Sequence, residues 1–170
     1  PFKRDLCKFM DYLIHMVEKT GVEVRLNTEA TVELVESLEP DAVLAAVGAQ
    51  ALVPPIPGVE GKNVITAEEA YRKVKAGEDI GQRIAVLGGG DVGCETAVYL
   101  AQEAGKKVSL VEMTDTLAAA SCAIPRTAIT KEMERCVDAH TGARCTGITQ
   151  EGITYVDAQG EHSIPADTVV

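Results

Sequence analysis

The run VLGGGDVGCETA, residues 86–97, constrains the fold of this chain more than any other stretch. An apolar, strand-like segment (RIAVLG, 83–88) meets three glycines spaced Gly88-x-Gly90-x-x-Gly93. A helical pattern over 91–104 follows at once and is closed by Gly105. A glycine turn between a buried strand and a helix fits a parallel α/β unit, where the helix crosses back over the sheet to a second parallel strand. That second strand reads as KKVSLVE, 106–112.

Each glycine has a physical task in such a turn. Gly88 permits the tight bend, Gly90 leaves room for a pyrophosphate, and Gly93 lets the helix pack closely on the strand. The first helical N–H groups and the dipole favour an anion, by about 0.3–2 kcal/mol for the dipole alone. An acid is expected at the end of the next strand, about 20 residues on. Glu112 stands there, 19 residues after Gly93. Its carboxylate can accept from the ribose hydroxyls of an adenosine, and hydrogen bonds to a charged group are worth about 1.5–3 kcal/mol. A 2′-phosphate would meet a like charge, and no Arg occurs between Lys107 and Arg126, so the pattern favours NAD(H) over NADP(H).

The candidate cofactor-binding residues are therefore Gly88, Gly89, Gly90, Asp91, Val92, Gly93, Glu95, Glu112 and Met113. Asp91 reads as a solvated first-turn acid. Glu95 reads either as a first-turn acid or as a group near the floor of the cleft. No catalytic residue is assigned. His15, His140 and His162 sit in different elements, and no metal-ligand pattern stands out. Five cysteines, none spaced C-x-x-C, read as reduced packing residues.

Upstream, Leu6, Phe9, Met10, Leu13, Ile14 and Val17 recur at helical spacing and Gly21 follows as a stop. VEVRL (22–26) and AVLAAVG (42–48) read as strands, with a short helix over 31–38 between them. ALVPPIPGVEG (51–61) cannot continue a helix or a central strand and reads as a linker. Thr66-x-x-Glu69 is a capping box opening a helix of about ten residues. Residues 126–140 read as one helix, with Ile129, Met133, Cys136 and Val137 on one face. Short strands follow, two of them joined by a turn at 157–160, and the chain stops inside the strand-like ADTVV. Pro1 in place of an initiator Met and that abrupt end suggest a piece of a longer protein.

The charge excludes some partners. A net charge of −10 repels nucleic acid and anionic membranes, and no apolar run approaches the ~20 residues of a membrane helix. A cytoplasmic setting is expected.

The segment 40–70 followed by 81–113 resembles the flavoprotein reductases with two dinucleotide folds, in which an apolar strand passes FAD, a Pro-rich linker follows, and then comes the NAD fingerprint. The strand end Ala46-Val47-Gly48-Ala49 occupies the family's A-T-G-A position, which makes Gly48 a further candidate, with Val47 departing from the usual Thr. DYLIHMVEKTGVEVRLNTEAT, LVPPIPGVEGKNVITAEEA and GGGDVGCETAVYLAQEAGKKVSLVEM are similar to the C-terminal portion of old-yellow-enzyme-like NADH:flavin oxidoreductases, the NADH oxidase, 2,4-dienoyl-CoA reductase and 2-enoate reductase group.

The resemblance implies an α/β, Rossmann-like NAD-binding domain with a parallel sheet and a β-meander insertion over 61–170. It implies the later part of an FAD-binding domain, with the linker, over 1–60. It also implies a parent enzyme with NAD(H), FAD, an FMN-carrying barrel and a 4Fe–4S cluster. The partners would be the rest of the parent chain, its FAD domain and FMN barrel, and a cut FAD domain is expected to self-associate. The alternative is a non-catalytic module that holds ADP or NAD, because Glu112 would serve either. A methyltransferase turn leaves the third glycine unexplained.

Overall fold

The computed structural model describes residues 4–170, and the chain divides into two compact units, 1–48 and 49–170.

In the second unit a capping box opens α3 (Ala67–Ala76); α1 (Arg4–Thr20) and α2 (Val32–Ser37) lie in the first. The Thr66 hydroxyl accepts from the Glu69 N–H at 3.2 Å, and the Glu69 carboxylate accepts from the Thr66 N–H at 2.8 Å. Gly77, left-handed at φ 76°, closes the helix. β1 (Arg83–Leu87) then leads through the glycine turn into α4 (Asp91–Gln102) and back to β2 (Lys107–Val111). α5 (Ala123–Cys136) and β3 (Val137–His140) follow. A hairpin-linked antiparallel sheet comes next, β4 (Arg144–Ile148), β5 (Gly152–Asp157) and β6 (Gly160–Pro165), and β7 (Thr168–Val169) ends the chain.

The parallel sheet has the order β3-β2-β1-β7, and the antiparallel sheet the order β4-β5-β6. Side chains alternate across the parallel sheet, as the period of two requires. Ile84, Val86, Val108 and Leu110 face one core with Val98 and Leu100 of α4 and Met133 of α5. Ala85, Val111 and Val169 face a second core with Ile153 and Tyr155 of the antiparallel sheet. The unit is thus three layers: helices, parallel sheet, meander. Its α/β, Rossmann-like class is the expected one.

Asp167 pins β7 to β1. It accepts from the backbone N–H groups of Gln82 and Arg83 at 2.9 and 2.8 Å and pairs with the Arg83 guanidinium. The Pro-rich segment packs on the second core through Ile56 and Val59. There Gly58, at φ 89°, lies so close to Ile148 that an added Cβ would fall 2.0 Å from its carbonyl oxygen.

Two expectations are corrected. Residues 126–140 are not one helix. α5 ends at Cys136, Val137 turns extended (φ −125°, ψ 134°), and Val137–His140 pairs in parallel with β2. Apolar spacing carried the helical reading through Val137 because no Gly or Pro separates the two elements.

The second correction concerns the first unit. It holds α1 (Arg4–Thr20) and α2 (Val32–Ser37), but 22–26 and 42–48 form no strand. A strand needs a neighbour to complete its ladder, and no described residue pairs with either segment. The unit has no buried residue among those described, and the apolar stripe of α1 stands open, with Phe9 53% and Ile14 56% exposed.

Candidate functional site

The strand order of the parallel sheet reverses at β1: the chain goes on from it to β2 on one side, while β7 lies on the other. Crevices beyond the carboxyl ends of strands at such a point are where open α/β sheets bind ligands. A cleft of about 710 Å³ opens there. It is lined on one side by Gly88, Gly90, Gly93 and Thr96, and on the other by Val53 and Ile56 of the Pro-rich segment.

The glycines of the turn divide into those the chain needs for itself and one it does not. Gly88 sits at φ 104°, where a side chain is strained. A Cβ on Gly93 would fall 1.9 Å from the Gly88 carbonyl oxygen, so α4 can approach the strand only without one. A Cβ on Gly89 would strike Leu117 and Glu112 at 2.6 and 2.8 Å. Gly90 is different. Its φ of −69° suits any residue, and a Cβ there would meet nothing within 4 Å. Gly90 is the N-cap of α4, and no side chain caps the helix. The first turn, Asp91, Val92 and Gly93, therefore lines the cleft with its N–H groups uncapped, an arrangement suited to an anion.

The turn is fixed from behind. The Gly88 N–H donates to the Val111 carbonyl at 2.9 Å. The Gly89 carbonyl accepts from the Ala118 N–H at 2.7 Å and from the Cys94 thiol at 3.2 Å. Burial pushes the Cys94 thiol above its usual range, which keeps it a neutral donor. Cys136 and Cys145 are half-buried, but Cys7 and Cys122 are exposed, so not all five cysteines are packing residues.

Glu112 directly follows β2, half-buried beside the turn. One carboxylate oxygen accepts from the Gly89 N–H at 2.6 Å, the other from the Thr114 N–H at 2.7 Å. Burial pushes its carboxyl up, but the N–H groups of Gly89 and Thr114 outweigh it, and the net shift is downward. Glu112 is thus held as an anion, each of its oxygens accepting a backbone N–H.

Val92 and Met113 are 67% and 69% exposed. Glu95 is half-buried on α4 and acts electrostatically on Tyr71, whose phenol is raised chiefly by burial. Asp91 is exposed, but it is held: Ser121 Oγ donates to Asp91 Oδ1 at 2.5 Å. The structure thus brings nine of the ten candidates together. Gly48 (φ 78°) lies in the first unit.

Two residues escaped the sequence reading. Thr96 is fully buried, and its hydroxyl has no partner of hydrogen-bond geometry, although it stands near enough to the Tyr71 phenol to oppose that group's upward shift. Nothing in the pattern singles it out from the apolar face of α4. Arg126 is distant from Glu112 in sequence, but α5 brings it into a groove of about 600 Å³ beside the loop after β2, with Asp115, Thr116 and Glu134. Among the described residues, no cluster of His, Cys, Asp and Glu could hold a metal, and no helix is long and apolar enough to cross a membrane.

Fold and site together define a dinucleotide-type α/β unit with an anion-ready turn at its switch point. The model of the pyridine nucleotide-disulphide oxidoreductase family matches residues 14–170, and the chain belongs to that family of oxidoreductases. It is 33% identical, over its whole length, to a bilirubin reductase of Mediterraneibacter gnavus, of which it spans 26%. It is 35% identical over 95% of its length to an NADH oxidase of Thermoanaerobacter brockii, of which it spans 25%. Among solved structures, a 2-naphthoyl-CoA reductase complex superposes on the whole chain with a TM-score of 0.86 at 25% identity, again over 26% of that protein. The chain thus spans about a quarter of the length of these relatives.

Proposed function

We propose that this chain is the NADH-binding portion of a flavin-dependent oxidoreductase of the old-yellow-enzyme-like NADH:flavin group. Gly90 carries the reading. Nothing among the described residues requires a glycine there, and an approaching pyrophosphate would. The uncapped turn of α4 would hold the phosphates, and Glu112 the adenosine ribose. The cleft beyond would take the nicotinamide half, its volume being in the range of small-molecule sites.

The anionic Glu112 favours NADH over NADPH. Arg126 does not reverse this, because it shares its groove with Asp115 and Glu134. When bound, NADH supplies a hydride to FAD; the residues of this chain bind and orient.

Residues 1–60 would be the later part of the FAD domain with its linker, Gly48 lying toward the flavin, and residues 61–170 the NAD domain. The names of the reductase and oxidase relatives and the quarter-length match support a larger parent. FMN and a 4Fe–4S cluster would be held by parts of that protein outside this sequence. The open apolar stripe of α1 would meet the rest of the FAD domain, and in its absence would drive self-association. A cytoplasmic setting suits the reduced cysteines.

Parallel calorimetric titrations with NADH, NADPH, ADP and FAD test the reading. Binding of NADH clearly above NADPH and ADP is the expected result. ADP binding as tight as NADH reduces the unit to a passive nucleotide holder, and equal affinity for NADPH removes the role given to Glu112.

A further inference from the structure

α4 begins on an acid. The Asp91 carboxylate gains from the helix dipole. It also stands beside the same uncapped N–H groups that would serve the pyrophosphate, where it repels that anion. The loop between β2 and α5 is built around this conflict. Leu117 packs against Gly89, and the Ala118 N–H donates to the Gly89 carbonyl at 2.7 Å. Ala118 is fully buried at φ 48°, a conformation that residues with a Cβ seldom adopt. Three residues on, the Ser121 N–H donates back to the Ala118 carbonyl at 3.0 Å, and its hydroxyl donates to Asp91 Oδ1 at 2.5 Å. One loop therefore grips the glycine turn and holds the acid at its mouth.

We propose that Ser121 is a positioning residue for the dinucleotide: its hydroxyl holds the Asp91 carboxylate in one rotamer, off the path of the pyrophosphate. Asp91 is then a brake on affinity whose strength Ser121 sets. The inference rests on the dinucleotide reading above. One observation points to a ligand at this turn independently of the pair, the open position at Gly90; the buried Thr96 hydroxyl, close to the Tyr71 phenol, lines the same cleft.

The test is a calorimetric titration of the full-length protein with NAD+, in wild type, Ser121→Ala, Asp91→Asn and the double variant. Ser121→Ala frees the carboxylate and is expected to weaken binding about three- to fivefold, the range for exposed charges. The loss shrinks at high salt. Asp91→Asn binds more tightly than wild type, and adding Ser121→Ala to it changes little. Ser121→Thr keeps the hydroxyl and restores wild-type affinity. An equal loss from Ser121→Ala in the wild-type and Asp91→Asn backgrounds overturns the proposal, because it reduces Ser121 to a loop anchor. Unchanged affinity in Ser121→Ala overturns it as well. A wild type that binds no NAD+ overturns the dinucleotide reading itself, which is a distinct result.

Discussion

Two glycine-to-alanine changes, three residues apart, should have opposite signatures. At Gly93 the new Cβ falls 1.9 Å from the Gly88 carbonyl oxygen, well over 1 Å inside contact distance, and the obstacle is backbone. The helix must back away from the turn. Overpacking of this kind costs typically 1–3 kcal/mol. The upper end, about 3 kcal/mol, corresponds to a Tm loss of roughly 10 °C for a unit of this size. At Gly90 the new methyl meets nothing within 4 Å, and φ is already −69°. Replacing an N-cap glycine by alanine costs some tenths of a kcal/mol. Stiffening the unfolded chain returns about 0.4–1 kcal/mol. The two offset, so Tm should move by no more than a degree or two. In the proposed binding mode the methyl would meet the pyrophosphate, and forcing it past would cost about 1–3 kcal/mol, or roughly five- to 150-fold in Kd. Thermal melting and NADH titration of both variants make the assay. A Gly90→Ala protein that binds NADH as wild type does would mean that no pyrophosphate passes close to Gly90, and one that melts as early as Gly93→Ala would mean that the fold itself needs the glycine.

Glu112→Gln keeps the shape and removes the charge. It should weaken NADH severalfold and narrow the gap to NADPH, as paired titrations would reveal. Thr96→Val removes a buried hydroxyl without a partner. An unsatisfied buried polar group costs about 1–3 kcal/mol, so this variant should melt at or above the wild-type temperature, and a clear loss of Tm would mean the Tyr71 contact is a real bond. The guanidinium of Arg83, followed by the N–H groups of Arg83 and Gln82, holds the Asp167 carboxyl well below its ordinary value of 3.8, and Glu112 lies below its own 4.5. Depressed carboxyls contribute stability that is complete above the unfolded values and is lost as pH falls through the folded ones. Denaturant midpoints should therefore be flat above about pH 5 and decline below about pH 4, and Asp167→Asn should flatten that decline.

What could be read from the sequence was local. The capping box at Thr66 and Glu69, the glycine turn and the hairpin at 157–160 each close on themselves within a few residues, so their chemistry is written in order along the chain. The acid at 112 could be placed because strand length fixes the distance from turn to strand end. Long-range pairing could not be read. Whether 42–48 becomes a strand depends on neighbours that a periodicity count cannot see, and among the described residues it has none. Val137–His140 is drawn out of the helix by the edge of β2, and the sequence carries no break to announce it. In the site, Glu112 was legible, but its grip on the Gly89 N–H was not. Ser121 reaches the turn, and Arg126 the groove beside the loop after β2, by a loop and a helix whose paths only the fold determines.

In the proposed function this turn presents NADH to a flavin. Anaerobic rapid mixing of the full-length protein with NADH, followed by the bleaching of flavin absorbance, tests it most directly. Saturable bleaching with NADH is predicted, half-saturating at lower concentration than with NADPH and shifted to higher concentration by Gly90→Ala. Flavin that stays oxidised, or that bleaches with the same NADH dependence in Gly90→Ala as in wild type, would contradict it.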